Sequence, residues 1–435
     1  MVQRVSNVLR RRARRGAVLL ATVGTANAAL ASTAFVVGSI QVVSASASGT
    51  AATVGSTTCA VSADGSLVLF SSGASTLVAG DSNRTDDLFL KNLATGAITR
   101  VTTQSSGAQF AAGGNCLATT MTPDGRVVAF NSGPAVFAKN TQTGLLAPAS
   151  PPAGTAPQVT GYFGGVLSDD FTKLVFMTKR ETIYAGPELF VHVIPARLIL
   201  RHLSDGNLVV LSTDNGIVAE SEVVSNRFAI SSDGTRVAVA SSSASLWPGD
   251  TNSGADVFVR NLVDSTTLLA SSTSTGVPDV TTVCCNSFYW NSAVVSSTQF
   301  AFVTGQPSSL GDRGLYLKDL ASGARELGLS DADGEGAKLS GDGRKLVFSR
   351  LYSGWDRRVF VRDRSTGAET LASASAGASG VASNGNSTEP MISRDGTRGV
   401  FGSSARNLVL PRPPVNVAQI YLKTVGTATV APQRW

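Results

Sequence analysis

DVFVRNL, residues 256–262, is one of seven near-copies of a single segment. The others read DLFLKNL (87–93), AVFAKNT (135–141), RLILRHL (197–203), GLYLKDL (314–320), RVFVRDR (358–364) and QIYLKTV (419–425). In every copy an apolar residue flanks a central Phe, Tyr or Ile on both sides. The fifth place is always basic: Lys91, Lys139, Arg201, Arg260, Lys318, Arg362 and Lys423. A short turn such as Thr95-Gly96, Asp205-Gly206 or Ser322-Gly323 follows most copies. Alternating apolar residues running into a Gly turn predict a β-strand that enters a hairpin.

A second marker precedes each copy: Ser or Thr, any residue, Asp and usually Gly, then an apolar run. It begins at residues 62, 122, 168, 231, 340 and 393, and a worn copy without Asp-Gly begins at 295. Asp-Gly closes a tight hairpin because Gly takes positive φ without steric cost and Asp bonds back to its own turn. The runs that follow (VLF, VAF, VFM, AVA, VFS) are continuously apolar, as expected of strands covered on both faces. The marker spacing somewhat exceeds the roughly 40–50 residues of a minimal four-stranded blade, and the excess falls in loops. Each unit therefore reads as inner strand, Asp-Gly turn, second strand, variable loop, the basic strand, turn and outer strand. Seven such units predict an all-β, seven-bladed β-propeller of four-stranded antiparallel blades. Two segments are candidates for closing the ring against 419–425: residues 39–49, the preferred one, and residues 427–432.

The pairing of S-x-D-G before one strand with h-[FY]-h-[KR]-[ND] on another resembles the TolB-like propeller repeat, a relative of WD-type repeats, over residues 50–430. The resemblance implies the propeller fold. The chain has seven units where TolB has six.

Of 435 residues only 15% are charged, and the formal net charge is +6. Arg4, Arg10, Arg11, Arg12, Arg14 and Arg15 carry that excess; without them 30 basic side chains face 30 acidic ones. A neutral body offers no footprint for a phosphate backbone, so nucleic acid is not an expected partner. The basic opening, the apolar core at 17–23 and the small residues around Ala26–Ala31 read as a signal peptide over residues 1–31. The alternative is an uncleaved membrane anchor, since residues 16–43 carry no charge and are long enough to cross a bilayer. Residues 32–435 are then one propeller domain, exported to the cell envelope, periplasm or medium. Four cysteines suit an oxidising compartment and allow three pairings. Cys59 and Cys116 fall on neighbouring units, while Cys284 and Cys285 are adjacent in sequence.

The sharpest local motif is GDSNRTDD (80–87), repeated as GDTNSGAD (249–256). Asp81, Asn83 and Asp87, with Asp250, Asn252 and Asp256, are candidate calcium ligands by spacing. A calcium loop wants a further oxygen donor at the place held by Thr85 or Gly254. The competing reading has Asp and Asn bonding the backbone of their own turn. His192, in an insertion of the third unit, and the cluster Phe288, Tyr289 and Trp290 are candidates for a binding face. His202 stands where most repeats have Asn or Asp, and a structural hydrogen bond is expected of it. The recurring Lys/Arg reads as a solvated edge or an interblade ion pair with Asp or Glu. G-x-S-x-G is absent, and no catalytic constellation is legible. The expectation is a monomeric module without enzymatic activity or cofactor, binding a protein, a small molecule or a glycan through its axial face. The alternative is a lyase- or hydrolase-type enzyme with its site at the channel mouth.

Overall fold

The computed structural model describes residues 38–426, except 117–118, 152–160, 179–180, 186–189, 195–196, 212, 215–216, 219–222, 242–245, 248–249, 251–255, 273–298, 305–313, 331–336, 354–355 and 378–379. The N-terminal segment read as a signal peptide lies outside them. Among the described residues there are six four-stranded antiparallel sheets, one three-stranded sheet and two small hairpins, all within the unit Phe35–Trp435. Blade 1 is typical, with strands Ser56–Val61, Leu67–Ser72, Asp87–Asn92 and Ile98–Arg100 in spatial order. Blades 2, 3, 4 and 6 follow the same order, with the basic segment always third from the inside. Blade 5 contributes Gln299–Thr304, Gly314–Asp319 and Arg325–Ser330.

Seven hydrophobic clusters fill the seven seams between consecutive blades. In the second strand of blade 1, Val68 and Phe70 pack against Val400, Ile420 and Leu422 of blade 7. Leu69 between them packs the other way, against Val128 and Phe130 of blade 2. Blade 4 repeats the division, with Val237 and Val239 against blade 3 and Ala238 against blade 5. This two-sided burial is the physical origin of the unbroken apolar runs. The seam between blades 7 and 1 makes the row of sheets a closed ring, so the β-propeller expected from the repeats is the fold.

Closure is by the N-terminal segment. Ile40–Val42 is the outermost strand of blade 7 and pairs antiparallel with Tyr421–Lys423. The competing closure by residues 427–432 lies outside the described residues.

The marker turns are built alike. In blade 1 the Ser62 hydroxyl donates to Asp64 at 2.7 Å, and the Leu67 amide donates to the Ser62 hydroxyl at 2.9 Å. Gly65 takes φ +68°, and blade 3 puts Phe171 at the same place with φ +56°. Neighbouring turns are chained by backbone bonds: the Ala63 amide to the Pro123 carbonyl, Asp169 to Ser232, Gly341 to Arg394, and Asp395 to Ala63. The markers thus form one rim around the axis.

The recurring basic position of the motif is not a solvated edge in the lysine blades, where it is held by backbone carbonyls of the preceding blade. Lys91, Lys139, Lys318 and Lys423 are all buried. Each donates to the end of the outer strand of the preceding blade. Lys91 reaches the Ala45 and Ser46 carbonyls at 3.0 Å, Lys318 the Ser272 carbonyl at 3.0 Å, and Lys423 the Ala374 carbonyl at 2.9 Å. Lys139 reaches the Thr103 carbonyl, and Arg201 the Ala149 carbonyl at 2.7 Å. The outer edge turns away at these points, leaving carbonyls without ladder partners; an ammonium supplies the missing donors.

This arrangement has a pH signature. Burial, with Arg325 nearby, pushes Lys318 down to about 8 from 10.5. Between those values the unfolded chain holds a proton that the folded ring has lost, so stability rises with pH. The penalty of burying the charge is present in full below pH 8. Lys318→Met is expected to remove a rise of up to about 3 kcal/mol from urea-unfolding curves taken between pH 7 and 10.5. Parallel profiles for variant and wild type would assign the rise to another group.

Candidate functional site

In these meandering blades the marker turns and the Thr-Gly type turns leave one face of the ring. The connections between second and third strands, and from outer strand to the next inner strand, leave the other. The second set includes long connections, such as residues 73–86 and 404–418, beside the two-residue link 133–134 of blade 2. In blade 3 it carries an extra hairpin, Glu181–Ala185 paired with Phe190–Ile194, in which His192 lies opposite Ile183. This loop face is the place for a site, since side chains from several blades converge there.

In blade 1 the calcium-like motif is organised around a guanidinium. Arg100 Nη1, from the outer strand, lies 3.3 Å from Asp81 Oδ1 and 3.9 Å from Asp87 Oδ2, with all three side chains largely buried. Gln109 accepts from Arg100 at 2.7 Å, and Asn83 donates to Asp87 at 3.0 Å. The Thr102 hydroxyl donates to the other Asp87 oxygen. Asn83 Oδ1 also accepts from the Thr85 amide of its own turn, as the competing reading had it. Burial, then the neighbouring Asp87, pushes Asp81 up, and Arg100 opposes both. A fixed internal cation therefore sits between the carboxylates of this loop.

The blade 4 copy differs. Asp250 and Asp256 are buried, and the Ser271 hydroxyl donates to Asp256 at 2.5 Å. Leu269 stands opposite Phe258 where Arg100 stands opposite Phe89. Asn252 lies outside the described residues. Among the described residues no group of three or more His, Cys, Asp or Glu is gathered that could hold a metal ion.

His202 lies on the turn face, away from the loops, and its amide donates to the Asn207 carbonyl in the turn between the third and outer strands. Phe288, Tyr289 and Trp290 lie outside the described residues, as do Cys284 and Cys285. Cys59 and Cys116 form a disulfide between blade 1 and the connection to blade 2.

Glu389 was not singled out by any motif. It is exposed, sits in the irregular stretch of the blade 7 inner strand Ser387–Ile392, and has φ +52°. A left-handed, non-Gly residue on an inner strand stores backbone strain of the kind that clusters at functional sites. Its Oε2 lies over Gly402, 3.8 Å from where a side chain on that glycine would begin. The segment leading into this strand also fixes two basic stretches. Asn386 accepts from the Arg357 amide of blade 6 at 2.9 Å, and Asn384 accepts from the Arg406 amide of blade 7 at 3.0 Å. The loop face thus presents an exposed carboxylate on a left-handed residue, with the backbones of Arg357 and Arg406 tied to the segment that leads into its strand and the Arg406 Nε donating to the Pro413 carbonyl at 3.3 Å.

No protein family matches the sequence, and no curated protein does. Solved structures do. An oligogalacturonate lyase from Vibrio parahaemolyticus aligns with TM-score 0.54 and 13% identity over 89% of this chain and 90% of its own. An oligogalacturonate lyase in complex with manganese gives 0.52 and 15% over 85% and 88%. A puromycin-hydrolysing peptidase from Mycobacterium tuberculosis gives 0.54 and 16%, over 91% of this chain but only 56% of its own. TolB structures are also among the matches. These likenesses establish a fold. They also correct the expectation of a chain without enzymatic activity, because lyases and peptidases are among the proteins that share this fold. A propeller site is assembled from loops of several blades, so it leaves no linear motif for a sequence search to find. The described residues do not fit a manganese site, lacking the ligand cluster such an ion needs.

Proposed function

We propose that this protein is a lyase-type propeller enzyme acting on an acidic oligosaccharide, with its site at the loop-face mouth of the central channel. The observation that carries the reading is Glu389: a strained, exposed carboxylate on an inner strand, with the Arg357 and Arg406 segments pinned by the stretch that leads into it. The near-complete mutual coverage with the lyases supports it. Coverage of little more than half of the peptidase leaves the peptidase reading with less support.

In the proposed elimination, Glu389 takes the proton α to a uronate carboxylate. The C–H electron pair becomes the new C=C bond as the adjacent glycosidic C–O bond breaks, the departing sugar oxygen takes a proton from water, and Glu389 returns its own proton to the hydroxide so formed. Arginine neutralises the uronate carboxylate, which acidifies that C–H. The Cys59–Cys116 disulfide supports an exported enzyme that meets such sugars outside the cytoplasm.

Incubation with oligogalacturonate is expected to generate the ultraviolet absorbance of an unsaturated uronate. Glu389→Gln is expected to lower kcat by about 10²–10⁴-fold while leaving the melting temperature within a few degrees. New reducing ends without unsaturation would mean hydrolysis instead. Equal rates for variant and wild type would remove Glu389 from the chemistry.

A further inference from the structure

The second residues of the six described markers are Ala63, Pro123, Asp169, Ser232, Gly341 and Arg394. Their backbones form the chained rim at the turn end of the axis. Only Asp169 and Arg394 among them are charged, and they belong to blades 3 and 7, which lie across the ring from each other. Arg394 Nη1 donates to Asp169 Oδ2, and both side chains are about a third exposed or less. The path of the arginine is provided by blade 6: a Cβ on Gly341 would collide with the Arg394 side chain. A bond between opposite members of a ring crosses its axis, unlike the hydrogen bonds between neighbours.

We propose that Arg394 and Asp169 form an axial latch that ties blade 7 to blade 3 and shuts the turn-face end of the channel, leaving the loop face as its entrance. The latch itself does not depend on the enzymatic reading; only the choice of entrance touches it.

The test uses the full chain with Cys284 and Cys285 replaced by Ser. Asp169→Cys with Arg394→Cys is treated with a short bismaleimide, and mass spectrometry reads the intramolecular cross-link. Most of the protein is expected to be bridged. A control pair, Arg394→Cys with Asp205→Cys in the outer turn of blade 3, is expected to remain unbridged. Equal yields, or no bridge at 169 and 394, would overturn the latch whether or not the protein turns over any sugar. Where oligogalacturonate is turned over, the bridged protein is expected to keep its rate within twofold. A tenfold loss on bridging would make the turn face the entrance and overturn that part of the proposal.

Discussion

Deletion of residues 1–46 is expected to abolish the cooperative unfolding transition of the ring, whereas deletion of residues 1–34 is expected to leave it unchanged. Three kinds of interaction are lost with residues 38–46. The first is the pairing of Ile40–Val42 with Tyr421–Lys423, continued by the Val43 amide to the Ile420 carbonyl. Ser44 extends it, donating to Gln419 at 2.7 Å and accepting from the Ile420 amide at 2.9 Å. The second is burial of Val43 at the seam between blades 7 and 1, with Ala45 buried close after it in the chain. The third is the pair of carbonyls that hold Lys91, so that a buried ammonium of blade 1 loses two of its acceptors. Lys91 keeps the Gly96 carbonyl at 2.8 Å, but the strand pairing and the seam packing are lost from a domain stable by only about 5–15 kcal/mol. The edge Gln419–Thr424, all of whose residues are buried in the intact ring, then becomes a template for pairing between molecules. Circular dichroism melts and size-exclusion chromatography read both consequences. A truncated protein that melts within about 2 °C of the full chain would show that closure rests elsewhere.

Whatever repeats along one strand was legible in the sequence. The alternation in DVFVRNL, the Asp-Gly turns and the unbroken apolar runs are properties of single segments, and they yield the blades with their strand order. The strap was legible too, because an outer strand arriving before the first inner strand has one free edge to meet. Contacts reaching between blades were not legible. Lys91 and its counterparts point opposite to their neighbours in the strand, which in an isolated sheet would mean solvent. Here it means the preceding blade, and the acceptors are backbone carbonyls, which no residue identity announces. A signal was nevertheless present: outer strands are followed by a hydroxyl residue, as at Ser44, Thr102, Ser150, Ser271 and Ser373. Each of these accepts from an amide near the start of a third strand. Arg100 was hidden for a related reason. It lies on the outer strand, and it meets Asp81 and Asp87 only after the blade has folded back on itself. Glu389 had no motif at all; its mark is a backbone angle.

Breaking the Cys59–Cys116 disulfide is expected to cost about 4 kcal/mol, by the loop-closure entropy of a bridge with a sequence separation of 57. For a ring of this size that is a fall in melting temperature of about 5 °C. The bond joins the irregular point of the blade 1 inner strand to the connection that becomes blade 2, and both cysteines pack into the seam between those blades. That connection carries Phe110, whose ring rests against Phe130 and Phe137 of blade 2 at 6.2 and 5.2 Å. It also carries Gln109, which holds Arg100 between its two carboxylates. Loss of the bridge therefore frees a segment that organises one side of the loop face as well as a seam of the core. A Cys59→Ser, Cys116→Ser double variant separates the two effects. Its melting temperature reads the entropic cost, and amide hydrogen exchange over residues 101–116 reads the loosening. If the melt falls while exchange stays as slow as in wild type, the bridge acts on the unfolded chain alone and the connection is held by Phe110 and Gln109. If exchange quickens there and nowhere else, the disulfide is the clamp that keeps the blade 1 loops in place, and oxidation of this cysteine pair is what completes the loop face.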